Sequence, residues 1–435
     1  IKLPPDITDI ASDILDGTAN AIVSENGLHI LDCYLLDGSA ASGCIIIPDS
    51  VRHIAAGAFK NNTELTGVII PDTVSSIGSN AFYGCSELEK VQLPESLTSL
   101  ADGIFYDCTK LADINLPSKL TEIRSNSFYN CLSLKSVSLP KGLTKIDDYA
   151  FYGCSKLESI SFPASLIYIG SYAFSKCSSL SQLKLPASIK WVGKHAFSSC
   201  TSLNTVHAAA EIISPNAFAD CSLLSKVTLT DKVLSLGAYA FKNCSSLKSV
   251  ALSSNLTVIE YGTFAGCSSL GYIYIHDGTE YLLEAAFEDC ISLKRIYLPR
   301  NIFIDANAFS GCELDINSGL QILADDISQP AILSDDNTCH YPGSLCRTDS
   351  ELYYLSGISS YDENPLLIRQ TELGNKTVID SYDGYSGFIK YKDYIYYLDS
   401  SNNLCRISIA DGKKTRLQKK VDILVAIYHD YIYYI

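Results

Sequence analysis

Residues 94–117 read Pro94-Glu-Ser-Leu97-Thr-Ser-Leu100-Ala-Asp-Gly-Ile104-Phe105-Tyr-Asp-Cys108-Thr-Lys-Leu111-Ala-Asp-Ile114-Asn-Leu116-Pro117, and the layout returns every 23 residues. Cys falls at 85, 108, 131, 154, 177 and 200, always 23 apart, then at 221, 244, 267, 290 and 312. A Phe precedes each of these by three, from Phe82 to Phe309, and Phe59 opens the series with Asn62 in the Cys slot. An aliphatic residue stands five before each Phe (Ile77, Leu100, Ile123, Ile146), and Leu follows most Cys by three (Leu88, Leu111, Leu134). A fixed period of this length marks a stack of equivalent turns, none of which can bury its apolar face alone.

Each turn closes on an alternation such as Val91-Gln-Leu93-Pro94 or Val137-Ser-Leu139-Pro140. Period-2 alternation is the pattern of a half-buried strand: Val and Leu face inward and the residue between them faces out. Stacked turns pair these strands in parallel at about 4.8 Å. Pro lacks an N–H and ends the ladder. The Ala-Phe segment is expected to form a short 3₁₀ or single-turn return, with one ring per turn building an aromatic spine.

These residues resemble the BspA-like, or Treponema-type, leucine-rich repeat, P-x-x-L-x-x-I-x-x-x-A-F-x-x-C-x-x-L-x-x-V-x-L-P, over twelve coils from Pro48 to Cys312. The resemblance implies a β-rich solenoid, a right-handed leucine-rich-repeat superhelix with parallel strands and short 3₁₀ or helical turns. It also implies a non-catalytic secreted or cell-surface protein that adheres to a host matrix or plasma protein, or to another microbial surface protein. A structural spacer presenting another extracellular module is the alternative, and a glycan-binding or hydrolytic tail a third. The expected organisation is a degenerate repeat and capping hairpin at 1–47, the solenoid at 48–319, a linker at 320–334 and a separate module at 335–435. Pro4, Ile7, Ile10 and Leu15 sit where one more coil would put them, and residues 27–38 read as a hairpin. The interval Cys200–Cys221 is 21 residues, with Ala208-Ala209-Ala210 in place of the strand-end pattern. Either that coil is shortened or residues of the natural chain are absent there; the lack of any Met in 435 residues belongs to the same question.

Composition removes several function classes. Lys plus Arg number 33 and Asp plus Glu 48, a net charge of −15 that repels phosphate backbones and anionic lipid. No apolar run approaches the roughly 20 residues of a membrane-spanning helix. Residues 1–20 lack a signal-peptide layout, so the sequence reads as one that begins after a processing site. No nucleic acid, membrane insertion or cofactor is therefore expected. The seven His are scattered and no catalytic motif is present, so neither catalytic nor metal-binding residues are assigned.

The eleven repeat cysteines favour a ladder of buried thiols bonding to turn carbonyls over disulfides or metal, because stacked Cβ vectors run side by side and C-x₂₋₄-C clusters are missing. Asn62 can make the same hydrogen bonds. Cys33 with Cys44, and Cys339 with Cys346, flank turns, and a disulfide is weighed against two free thiols at each. In the tail, Glu351-Leu-Tyr-Tyr-Leu355 recurs as Tyr394-Ile-Tyr-Tyr-Leu398 and Tyr431-Ile-Tyr-Tyr-Ile435. With Leu404-Cys-Arg-Ile-Ser-Ile and Asp411-Gly412 this resembles the YIYY repeats of a β-propeller-like bacterial extracellular domain, so a small all-β, propeller-blade-like module is expected. Residues 380–384 and 399–403 faintly suggest calcium loops but read better as turns. The cluster Lys413, Lys414, Arg416, Lys419, Lys420 reads as decoration of a strand and turn.

The outward strand positions form the surface that solenoids present to partners. From Gln92 to Thr228 they are mostly small and polar, and then the character changes: Tyr272, Tyr274, His276, Arg295, Tyr297 and Arg300 should gather on neighbouring strands. Tyr and Arg are enriched at interface hot spots. This cluster is the candidate interaction surface, either for an external protein ligand or, as the sequence favours, for packing of the C-terminal region.

Overall fold

The computed structural model describes residues 22–23, 26–299, 302–305 and 307–312, and in the tail the segments 321–323, 345–347, 351–356, 366–371, 376–381, 389–391, 394–398, 403–410, 413–418, 424–428 and 431–434. The fold is a β-solenoid of about twelve turns with parallel strands, followed by antiparallel sheets. Two compact units divide the chain, Ile1–Val233 and Leu234–Ile435.

In the first unit every coil contributes two strands. The alternating segment forms one row, in which Lys90–Gln92 pairs with Asp113–Asn115 so that Val91 faces Ile114. The aliphatic five before Phe anchors a second row of two-residue strands, running in register through Ser99–Leu100, Glu122–Ile123, Lys145–Ile146, Tyr168–Ile169, Trp191–Val192 and Ile212–Ile213. The inward residues Leu100, Ile123, Ile146, Ile169 and Val192 are buried, as the period-2 reading requires. The 21-residue coil keeps register in both rows, Trp191 opposite Ile212 and Thr205 opposite Lys226, with Ala208 and Ala210 fully buried.

The return segment is built of single turns, the second of the two forms expected, and is not a 3₁₀ helix. In the coil of Phe151, the N–H groups of Ala150, Tyr152 and Cys154 donate three residues back to Asp147, Tyr149 and Phe151. The intervening N–H groups of Tyr149, Phe151 and Gly153 instead donate to Ser171, Ala173 and Ser175 of the next coil, at 2.7–2.9 Å. A 3₁₀ helix would keep all six bonds within its own coil. Here alternate peptide planes are turned outward, and the residues two before and two after the Phe take left-handed φ, at Tyr149 (57°) and Gly153 (73°). The pattern recurs at Tyr172, Lys176, His195 and Ser199. A left-handed conformation costs a non-glycine residue about 1–2 kcal/mol, which the inter-coil bonds offset. Among the described residues there is no helix.

The Phe rings stack face to face between these returns. Centroid separations run from 4.9 to 5.6 Å between Phe59 and Phe218 in the first unit. In the second they run from 5.3 to 5.6 Å between Phe241 and Phe309. Burying each ring contributes about 1.5–3 kcal/mol.

The N-terminal hairpin closes one end of the stack. His29–Leu31 pairs antiparallel with Tyr34–Asp37, which lies parallel to His53–Ile54 and so covers the edge of the second row. Tyr34 stacks on His53 at 4.7 Å. Gly38 sits over the first spine ring, where a Cβ would fall 2.1 Å from Phe59.

In the second unit the coils continue with Tyr272–Tyr274 against Arg295–Tyr297, and one further strand, Gln321–Leu323, pairs with the latter. That strand lies beyond the last Cys of the repeat series and extends the parallel row where the sequence pattern has lapsed. The tail forms antiparallel sheets: a four-stranded meander over Leu345–Arg347, Glu351–Ser356, Leu366–Thr371 and Lys376–Ser381, a second over Ile389–Tyr391, Tyr394–Leu398, Leu404–Ser408 and Lys414–Gln418, and the hairpin Leu424–Tyr428 with Tyr431–Tyr434. The YIYY stretches are strands, but no propeller is found among the described residues. Tyr396 and Tyr397 are neighbours in one strand and both are buried, so both faces of that strand are covered.

Candidate functional site

The strands Tyr272–Tyr274 and Arg295–Tyr297 place Tyr272 opposite Arg295 and Tyr274 opposite Tyr297, with Ile273 and Ile296 buried between them. This is the juxtaposition expected from the outward positions. Tyr272 is 39% exposed and meets Tyr297 edge to face at 5.6 Å. Tyr274 lies 5.5 Å from Tyr297 and 4.8 Å from His276, whose ring is turned edge-on. His276 Nε2 is 3.1 Å from the carbonyl oxygen of Leu252, a contact in which only the ring N–H can donate. The imidazole is thereby pinned, and the four rings make one aromatic cluster. The side chain of Arg295, and Arg300 altogether, lie outside the described residues.

Chemically the cluster offers ring edges and phenolic hydroxyls on a sheet face. Aromatic bodies with a polar tip suit a partner's surface at low cost in conformational entropy.

The cysteine row is structural in its contacts. Ten of the eleven repeat thiols are seen to donate to the Phe carbonyl of the preceding coil, among them Cys85 to Phe59 at 3.0 Å, Cys131 to Phe105 at 3.2 Å and Cys177 to Phe151 at 3.2 Å. Asn62 fills the first slot, donating to Gly38 and Ala41 and accepting from the N–H groups of Glu64 and Leu65. Burial pushes the thiols of Cys85, Cys221 and Cys267 up to about 12, far from a nucleophile's range. Cys33 and Cys44 are separate free thiols; Cys339 and the side chain of Cys346 lie outside the described residues. No group of three or more metal-ligating side chains occurs among the described residues. The two faint calcium loops fall almost entirely outside those residues, and Lys413, Lys414 and Arg416 are exposed on or beside the strand Lys414–Gln418.

Two features escaped the sequence reading. Tyr follows Phe in four successive coils, and Tyr83, Tyr106, Tyr129 and Tyr152 stack at 4.3–4.7 Å, with Lys60 and Lys176 over the outer rings. Burial, the neighbouring charges and a hydrogen bond to Tyr129 push the Tyr106 phenol up to about 12. The signal was the column after Phe, visible in the sequence. His195 is half-buried and stacks on Tyr172 at 4.6 Å. The other feature is the second row of strands, whose outward residues become apolar around Trp191.

Comparisons with known proteins agree with this architecture. The model of the BspA type leucine rich repeat region matches in six copies over residues 34–155, 121–212 and 211–319. A leucine-rich repeat protein from Bacteroides ovatus is 31% identical, with 64% of this chain and 78% of that chain covered and a TM-score of 0.55. A leucine rich cell surface protein from Faecalibacterium prausnitzii is 27% identical over 70% of this chain and 95% of its own, with a TM-score of 0.43. The leucine rich repeat protein of T. pallidum is 24% identical over 47% and 78%, with a TM-score of 0.27. No curated protein matches. With the family pattern spanning well over half of its length, the chain belongs to the BspA type leucine rich repeat family.

Proposed function

We propose that this is a secreted or cell-surface binding protein, non-catalytic, that engages a host or microbial surface protein through the Tyr272, Tyr274, His276, Tyr297 cluster. The observation that carries the reading is the meeting of three tyrosines on two register-paired strands with a pinned histidine just beyond one of them. Membership of the family supports placement outside the cell, and no described helix is long and apolar enough to cross a membrane. Binding of the full chain to an immobilised panel of matrix and plasma proteins tests it. A Tyr272→Ala/Tyr297→Ala variant should lose about tenfold or more in affinity for any ligand found. Unchanged binding by a folded variant sinks the assignment.

The spacer reading draws on a different observation. Gln92, Asn115, Ser138, Ser161, Lys184 and His207, the outward residues of six successive coils, are exposed and offer no aromatic or apolar anchor. On that reading residues 48–319 hold the module at 335–435 away from its attachment. Retention of ligand binding by the tail sheets after loss of the tyrosine cluster would favour it.

A further inference from the structure

We propose that the outward face of the second strand row around Trp191 is a docking site for an acidic segment of a partner protein. The reading does not depend on the tyrosine cluster. Lys145, Tyr168, Trp191 and Ile212 are register partners on adjacent strands and point away from the core. Ile167 and Lys190 occupy the column beside them, joined by the bond from the Lys190 N–H to the Ile167 carbonyl oxygen at 2.9 Å. Trp191 is 41% exposed and Ile167 43%, in an array whose other large apolar side chains are mostly sealed. The same outward column begins with His53, Ser76, Ser99 and Glu122, so within the first unit its apolar stretch is confined to three consecutive coils; the equivalent column of the second unit carries exposed Tyr281 and Phe303. Single exposed apolar residues are ordinary, but a cluster holding the only Trp of the chain is the composition of an interface centre.

The charge around this face selects the partner. Residues 118–233 carry 12 Lys and Arg against 7 Asp and Glu, whereas the remainder of the chain carries 21 against 41. The solenoid is thus locally basic where the Trp is displayed, inside a chain of net charge −15. Lys190 and Lys194 are exposed and make no ion pair, and Glu211, one strand further on, is not bonded to Lys190. Lys145 is already committed to Asp147 at 2.8 Å and lies over the Tyr168 ring. Lys190, next to the indole in sequence, and Lys194, three residues beyond it, carry unpaired ammonium groups on the side away from Asp147 and Asp148, whose charges act on the Tyr168 phenol. They complement a segment that mixes carboxylates with small apolar side chains.

The platform beneath is rigid. Gly170 and Gly193 follow the inward Ile169 and Val192, and a Cβ on Gly193 would lie 2.4 Å from the carbonyl carbon of Gly170. The backbones of successive coils touch there, which holds the outward side chains at fixed spacing and lowers the ordering cost of docking.

Because Trp191 is the sole Trp, its emission reports this face in the intact chain. The probe is a random copolymer of glutamate and alanine, titrated into the full-length protein. The expected result is a saturable blue shift whose affinity falls with salt and drops about tenfold or more in Lys190→Glu/Lys194→Glu. The charge-matched control Lys60→Glu/Lys90→Glu should bind as the parent does. Should the reversed pair fail to fold by circular dichroism, Lys190→Gln/Lys194→Gln gives the same reading. No shift at saturating copolymer overturns the proposal, as does equal weakening in both charge-reversed pairs. A shift with heparin but not with the copolymer would also overturn it, assigning the face to an anionic glycan.

Discussion

The thiol of Cys154 donates to the carbonyl oxygen of Phe128, 3.1 Å away in the preceding coil, and that same oxygen accepts the Cys131 N–H at 3.2 Å. One carbonyl thereby ties three things together: the ring-bearing residue, the end of its own turn and the next turn of the stack. Cys154→Ala removes one donor without orphaning the oxygen, so the loss should be about 1 kcal/mol, the worth of one net hydrogen bond. Urea midpoints of the variant and parent measure it; a loss as large as that of a spine ring would contradict this division of labour.

The spine should be far more sensitive. Phe151 is fully buried, with Phe128 and Phe174 each 5.0 Å away. Phe151→Ala leaves a cavity and should cost about 3–5 kcal/mol. Ser161→Ala, exposed just past the strand Ser159–Ile160, should change stability by less than about 0.5 kcal/mol. Similar melting shifts for the two would refute the facing assignment.

Thiol chemistry separates the cysteines into two groups. Cys44 is exposed and Cys33 and Cys312 are half-buried, so among the described residues a small thiol reagent should label these three in the native protein and reach the sealed repeat cysteines only on unfolding.

Stability should also fall in alkali for the same reason. An unfolded thiol ionises near pH 8.5, whereas burial holds the folded thiols of Cys85, Cys221 and Cys267 up to about 12. Above about pH 8.5 the unfolded state has lost protons that the folded state keeps, so the free energy of unfolding declines as pH rises toward 12. Below that window these thiols contribute no pH dependence. Denaturation midpoints across pH 7–11 test the slope, and replacing Cys85 and Cys221 by Ala should flatten it.

The tyrosine ladder gives a spectroscopic test. Tyr129→Phe removes the hydroxyl that bonds to and sits beside Tyr106, so the Tyr106 phenol should titrate lower than its present value of about 12. Ultraviolet titration of phenolate absorbance reads this directly.

Much of the architecture was legible because the repeat is long and its chemistry local. Val91, Ile114 and their counterparts alternate with polar residues, Pro ends most of these strands and Phe keeps its phase with Cys, so the first strand row and the spine follow from spacing, whereas the second row does not. Between the two forms expected for the return, single turns prevail over a 3₁₀ helix because φ at Tyr149, Tyr172 and His195 is set by bonds to the next coil, which no local propensity encodes. The strand Gln321–Leu323 went unread for a related reason: its partner Arg295–Tyr297 supplies the pairing, and its own residues do not repeat the pattern.

The sequence by itself determined that equivalent turns stack, which side chains turn inward, and that Tyr272, Tyr274 and Tyr297 share an outward face. Tertiary structure alone decided which outward residues become neighbours of consequence. Tyr168, Trp191 and Ile212 are separated by 23 and 21 residues along the chain and meet only because successive coils lie one strand spacing apart. A surface of that kind is a property of register between coils, and register is settled by backbone hydrogen bonds that belong to no single repeat.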